Sequence, residues 1–140
     1  MKPFKLSLFF IGLLISFQYT HAQNVTNEGS EFWVCFPDHV PSNNNLATMS
    51  LFITSKSNSS GIVSCGTYSE SFTVQANTVK EIFVPRDVSF LGSGTKTSIN
   101  KGIRVKVDDG KPKVVVYAHV FAGFRSAATL VLPYEALGRK

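Results

Sequence analysis

The chain has 140 residues, enough for one domain at most, and its 14 Lys and Arg against 9 Asp and Glu give a formal net charge of +5. The basic side chains are scattered, whereas a nucleic-acid-binding surface normally shows clustered Lys and Arg, so the composition argues against that class of protein. The 12 Phe and 4 Tyr, with segments rich in Val, Ile and Thr, favour β structure because such side chains pack well on a pleated surface.

The N-terminal segment has the organisation of a cleavable secretory signal. Two lysines lie among the first five residues, an apolar run covers 6–17, and small residues occupy the −3 and −1 positions, Thr20 and Ala22. The run of 12 residues spans about 18 Å as a helix, whereas a bilayer core is about 30 Å thick. We therefore expect a signal peptide over 1–22 and a mature domain over 23–140, which is secreted or displayed at the cell surface without membrane insertion.

Alternation of apolar and polar residues is the main structural signal in the mature chain. It predicts strands with one buried face at 48–54, 69–76 and 101–108. Three further segments are apolar on both faces, which predicts central strands covered on both sides; they are 32–36, 113–121 and 127–132. Shorter strand candidates lie at 61–65 and 79–84.

Turn residues separate these segments. Asp109-Gly110 favours the positive φ of hairpin turns, and the Lys111-Pro112 pair after it predicts a hairpin loop longer than two residues. The connections 37–47 and 85–98 are predicted to be long surface loops. About eight short strands at roughly ten-residue spacing, without helical crossovers between them, predict an all-β fold, an antiparallel β-sandwich.

The chemistry-bearing residues indicate no catalytic machinery, metal site or cofactor. His39 stands beside Asp38 without further ligands, whereas zinc needs three or four, and His119 lies within an apolar strand, where we expect it to point to a polar edge. The sequence has no Gly-x-Ser-x-Gly nucleophile elbow. Two carboxylates facing a cleft would suffice for a glycosidase, so a glycan-active enzyme is retained as a third functional hypothesis.

Cys35 and Cys65 are the only cysteines. The predicted export places them where disulfides persist, so a bridge between them is one interpretation. Buried free thiols are a second interpretation. A reactive thiol is the third, although no histidine or helix N-terminus that would activate it is adjacent in sequence.

Several blocks in a fixed order resemble the N-terminal domain of IgGFc-binding proteins, a family that includes a mucus protein of animals and many large exported proteins of Bacteroidetes-type bacteria. The blocks are EFWVCFP at 31–37, LFITS at 51–55, FTVQANT at 72–78, NKGIRV at 100–105 and LVLP at 130–133. The family pattern usually has a small residue where Cys35 stands, and family domains continue beyond the last block. The chain therefore resembles an incomplete or shortened family domain, and the resemblance implies an extracellular, non-enzymatic, adhesive or ligand-binding role.

Two functional hypotheses from different classes follow. The first is a binding or adhesion module that recognises an extracellular glycoprotein or glycan through its loops, since rigid strands with variable loops are a common recognition surface. Its candidate ligand contacts are Asn43, Asn44, Asn45, Phe90 and Leu91. The asparagines suit adaptable hydrogen bonding, and Phe90 and Leu91 either supply an apolar anchor or pack into the core. The second hypothesis is a structural spacer of a larger cell-surface protein, without a ligand of its own.

Overall fold

The computed structural model describes residues 26–37, 47–91, 100–123 and 125–137. The predicted signal peptide lies outside these ranges. The elements, in chain order, are β1 (Glu31–Val34), β2 (Thr48–Thr54), β3 (Ser59–Cys65), β4 (Tyr68–Val74), β5 (Val79–Phe83), α1 (Arg86–Ser89), β6 (Ile103–Val107), β7 (Val115–Ala122), β8 (Arg125–Val131) and the 3₁₀ turn η1 (Tyr134–Ala136).

The strands form two four-stranded antiparallel sheets. The first sheet has the order β1-β6-β3-β4 and the second has the order β5-β2-β7-β8. Their inner faces share one cluster of buried apolar side chains. The predicted all-β antiparallel sandwich is therefore confirmed.

Alternation along the strands explains how this core forms. In β2 the side chains of Met49, Leu51 and Ile53 point inwards and are buried, and β6 presents Ile103 and Val105 in the same way. Removal of each such side chain from water contributes about 1.5–3 kcal/mol. The buried apolar face predicted for each of these two strands is confirmed, but Ser50 on the opposite face of β2 is also buried.

Within the described ranges, only two connections join neighbouring strands of one sheet, and both use a glycine with positive φ: Gly66 (+58°) between β3 and β4, and Gly123 (+63°) between β7 and β8. Gly110 also has the expected positive φ, +77°. The hairpin predicted there is nevertheless wrong, because β6 and β7 lie in different sheets and 108–114 crosses between them. Ser59 Oγ helps to fix the crossing by donating a hydrogen bond to the carbonyl oxygen of Pro112 at 2.6 Å.

The prediction that three segments are covered on both sides is wrong: the outer faces of β1 and β7 are exposed, and β8 is exposed on both faces except at Val131. β1 is an edge strand, and its Trp33 is 50% exposed. β7 is central in the second sheet, but Tyr117 and Phe121 on its outer face are exposed. β8 is an edge strand with six of its seven residues exposed. These segments hold more apolar surface than the core buries, and exposed apolar patches often mark interaction sites.

Candidate binding surfaces

The structure describes only some of the predicted ligand contacts. The candidate contacts Asn43, Asn44 and Asn45 lie outside the described residues, and so does the Asp38-His39 pair. Phe90 is half-buried and packs against the core, beneath the guanidinium of Arg86 at 3.7 Å from the ring centroid. The backbone N–H of Leu91 donates to the carbonyl oxygen of Phe36 at 3.5 Å. Phe90 therefore contacts the core with part of its ring, and its role as a ligand contact stays a prediction.

Cys35 and Cys65 are both free thiols, so the candidate disulfide is not formed. The topology explains why: β6 lies between β1 and β3, and two strand spacings amount to about 9.6 Å, whereas bridged cysteines have Cα atoms within about 7 Å. Cys35 is exposed, while Cys65 belongs to the core. Burial raises the pKa of the Cys65 thiol above its ordinary value, with nearby Lys101 opposing the shift.

The first sheet presents an indole ring on its outer face. Phe32 and Trp33 are neighbours in β1, so Phe32 points into the core and Trp33 points to solvent. Trp33 Nε1 donates a hydrogen bond to Glu31 Oε1 at 3.0 Å, and the guanidinium of Arg104 lies 5.7 Å from the indole centroid. A Cβ atom added to Gly102 would lie 3.5 Å from Trp33 Cε3, so the ring lies over the Gly102 backbone. We call these four residues, Glu31, Trp33, Gly102 and Arg104, the tryptophan platform.

Charge holds the platform in one arrangement. Arg104, the β6 partner of Trp33 in the ladder, donates from Nε to Glu31 Oε1 at 2.9 Å. This hydrogen bond lowers the pKa of Glu31 below its ordinary value, with burial opposing the shift and Trp33 adding to it. Glu31 is therefore an ionised acceptor at neutral pH, and its two donors order the indole before a ligand arrives.

A groove runs from the platform along the outer face of the first sheet. It consists of a cavity of about 540 Å³ beside Trp33 and an adjoining cavity of about 340 Å³, which share Ser64 and Arg104 as lining residues. Other residues that line it are Asn100, Ile62, Lys106 and Asp108. The combination of an aromatic surface with a few fixed polar groups is typical of ligand sites, which usually have volumes of about 300–1,000 Å³.

The second sheet carries a different surface, an aromatic stripe formed by Phe52, Tyr117, His119 and Phe121. The imidazole of His119 lies 5.7 Å from the Phe52 ring and 6.5 Å from the Phe121 ring, measured between centroids. Its Nε2 is 2.8 Å from Ser126 Oγ on the edge strand β8. The stripe is mainly aromatic, and the hydrogen bond of His119 to Ser126 lies within the second sheet.

Sequence analysis did not identify the tryptophan platform. The signal was the alternation itself: once Phe32 is assigned to the core, Glu31 and Trp33 must share the outer face, and the same reasoning places Arg104 and Lys106 together on theirs. The missing information was the pairing of β1 with β6, which joins residues about 70 positions apart and which a local pattern does not encode.

Comparisons of the chain with protein-family models, with curated proteins and with solved structures found no match. The resemblance to the IgGFc-binding N-terminal domain therefore stays a prediction. Among the residues that the structure describes, no cluster of three or more His, Cys, Asp or Glu side chains could hold a metal ion. In the same part of the chain, no helix has the length and apolar character needed to cross a bilayer.

Proposed function

We propose that this protein is an exported, non-enzymatic binding module that recognises a glycan, free or on a glycoprotein, outside the cell. The observation that carries the proposal is the half-exposed Trp33, held over Gly102 at one end of a polar groove. A pyranose ring has a face of C–H bonds and a rim of hydroxyl groups, so its recognition needs an aromatic surface beside hydrogen-bonding groups. The outer face of the first sheet offers both.

The platform residues have the chemistry of binding hot spots, which are enriched in Trp and Arg. Arg104 uses Nε for Glu31, and among the described residues none accepts a hydrogen bond from its Nη groups, which suits them to sugar hydroxyls or carboxylates. Ser64 and Asn100 supply neutral polar groups along the groove. Because the indole is already ordered, less conformational entropy is lost on binding.

The loops of the sequence-based hypothesis adjoin this groove in sequence. The connection 92–99 leads into Asn100, which lines the groove. The connection 38–46 follows Pro37, three residues after β1 ends. In the proposal the platform stacks the sugar. The predicted loop contacts Asn43, Asn44 and Asn45 lie outside the described residues and stay a prediction.

The carboxylates near the groove support binding over turnover. A retaining or inverting glycosidase needs a general acid with a raised pKa. Arg104 instead lowers the pKa of Glu31, and Asp108 accepts a hydrogen bond from Ser60 Oγ at 2.6 Å. Glu31 therefore lacks the raised pKa that such a general acid needs.

The test is a glycan array that includes mucins and immunoglobulins, followed by calorimetric titration of the strongest ligand. Trp33 is the single tryptophan, so its emission reports stacking directly in the wild type. Trp33→Ala is expected to weaken binding by about 30-fold or more, as expected for a hot spot. Phe83→Ala, which removes an aromatic side chain 58% exposed on the other sheet, is the matched control and should bind like the wild type.

An unchanged affinity of Trp33→Ala, or turnover of the ligand, would contradict the proposal. An array without any ligand would favour the spacer hypothesis.

A further inference from the structure

β8 offers an unpaired sheet edge. It is hydrogen-bonded to β7 along its length, and no described strand pairs with its other side. Six of its seven residues are exposed. An edge of this kind presents unpaired N–H and C=O groups to solvent, which is a template for pairing with another strand.

Among the residues that the structure describes, β8 is the least protected of the four sheet edges, although it also contacts β1. β1 has only four residues, and Phe32 is bridged to Pro133 on that side. β4 and β5 contact each other on the opposite side of the sandwich, where Tyr68 Oη donates to the carbonyl oxygen of Phe83 at 3.2 Å, and β5 carries two adjacent charges. β8 contains no proline, and Arg125 at its first position is its only charge. Short length, proline and charge are the usual means of blocking edge pairing.

We propose that β8 pairs with β8 of a second copy of this chain, antiparallel and centred on Ala128, so that two second sheets join into one eight-stranded sheet. A two-fold axis perpendicular to the sheet makes the contact isologous and keeps the outer face on the same side in both copies. Centring on Ala128 overlaps the full length of Arg125–Val131. If the two strands were instead centred on residue 127 or 129, residues at both ends of the ladder would have no strand residue opposite them.

The side chains of β8 fit this register. It sets Arg125 opposite Val131, Ser126 opposite Leu130, and Ala127 opposite Thr129, so the two arginines lie at opposite ends of the ladder. Like charges directly opposite each other destabilise a strand pair, and this pairing has none. The exposed Leu130 and Ser126 lie on the same outer face, so apolar surface of one copy meets a small side chain of the other.

The size of the contact predicts a reversible dimer. Seven paired residues span about 24 Å, and one strand edge buries less than the roughly 800 Å² per partner of a stable complex. A second copy is the occupant that the edge fits, because the register pairs the strand over its full length, sets no like charges opposite each other and places Leu130 opposite the small Ser126. We expect a monomer at low micromolar concentration and a growing dimer fraction at higher concentration.

A cysteine at the centre of the proposed pair tests the register. Directly opposite residues in an antiparallel pair have Cα atoms about 4.5–5.5 Å apart, which suits a disulfide. Ala128→Cys in a Cys35→Ser background should therefore form a covalent dimer on mild oxidation, read by intact mass. Ser126→Cys in the same background is the control, because its two copies would lie four residues apart along the ladder, about 14 Å, and should stay monomeric.

A charge at the same position tests the interface by sedimentation velocity. Ala128→Lys sets two ammonium groups opposite each other and should weaken dimerisation by about tenfold or more, while Ser71→Lys on the β4 edge, also exposed, should not. A chain that stays monomeric up to about millimolar concentration, or equal cross-linking at 126 and 128, overturns the proposal. Loss of glycan binding in Trp33→Ala leaves this test unaffected, so the two proposals fail separately.

Discussion

At Gly61 the neighbouring atoms leave no room for a side chain. This glycine lies in β3, between β4 and β6. A Cβ atom there would clash with the Lys106 carbonyl oxygen and would lie 2.7 Å from the Phe72 ring. The ring of Phe72 fills the space that a side chain at position 61 would need, so glycine is required for packing in the middle of a strand.

Gly61→Ala is therefore expected to lower the free energy of unfolding by about 1–3 kcal/mol, the usual cost of overpacking a close contact, measured by urea denaturation. The control is Gly102→Ala, where the new Cβ would meet the Trp33 ring at 3.5 Å, an ordinary contact distance. Its unfolding midpoint should stay close to that of the wild type. Equal midpoints for Gly61→Ala and Gly102→Ala would show that the contact at Phe72 relaxes without cost.

At the scale of elements, the segment after β8 ties the two sheets together. The chain leaves the second sheet, forms η1 and contacts β1 of the first sheet. Glu135 Oε1 accepts hydrogen bonds from Ser30 N at 3.1 Å and Ser30 Oγ at 2.7 Å, and Lys113 Nζ lies 3.8 Å away. Burial raises the pKa of Glu135, but these hydrogen bonds and Lys113 outweigh it, so the pKa is lowered overall.

Folding lowers the pKa of the Glu135 carboxyl group below its value in the unfolded chain, which is near the ordinary 4.5. The ionised carboxylate therefore stabilises the folded protein at pH values above 4.5. This stabilisation is lost as the pH falls through the pKa that Glu135 has in the folded protein. Glu135→Gln should cost about 1 kcal/mol at pH near 7, less than a buried charged hydrogen bond because the carboxylate is partly exposed. Urea midpoints of the variant and the wild type should converge as the pH falls below 4.5 and through the lowered pKa of the folded state. Glu28→Gln, which removes an exposed ion pair with Lys56, should cost less than Glu135→Gln. A constant gap between Glu135→Gln and the wild type at all pH values would refute the assignment.

Local sequence patterns predicted the bounds of the strands better than they predicted which neighbours each strand has and which of its faces is covered. The bounds of β2 followed from Met49, Leu51 and Ile53, because alternation depends only on which face is buried. The edge position of β8 could not be predicted, since a short apolar run is the same in a covered strand and at an edge with small side chains. The tryptophan platform required the long-range pairing of β1 with β6. Its individual residues were visible in the alternation, but their juxtaposition was not.

At the scale of the whole molecule, the connections interlock the two sheets. β1 leads to β2, β2 to β3, β4 to β5, β5 to β6 and β6 to β7, and each of these steps passes from one sheet to the other. Neither sheet can form its full strand order from a continuous stretch of chain. Both sheets also bury their inner faces in the same cluster, so neither has a core of its own, and we expect them to unfold together.

Equivalent core substitutions in the two sheets test this expectation. Ile53 in the second sheet and Ile103 in the first are both fully buried, so Ile53→Val and Ile103→Val should each lower the free energy of unfolding by about 0.5–1.5 kcal/mol. The emission of Trp33 reports the first sheet and far-ultraviolet circular dichroism reports both, yet each variant should shift the two transitions equally, since the core is shared. Ile62→Val, the same change at a position 42% exposed, should leave both transitions near those of the wild type. A shift of the dichroism transition alone in Ile53→Val would instead mean that the second sheet unfolds independently of the first.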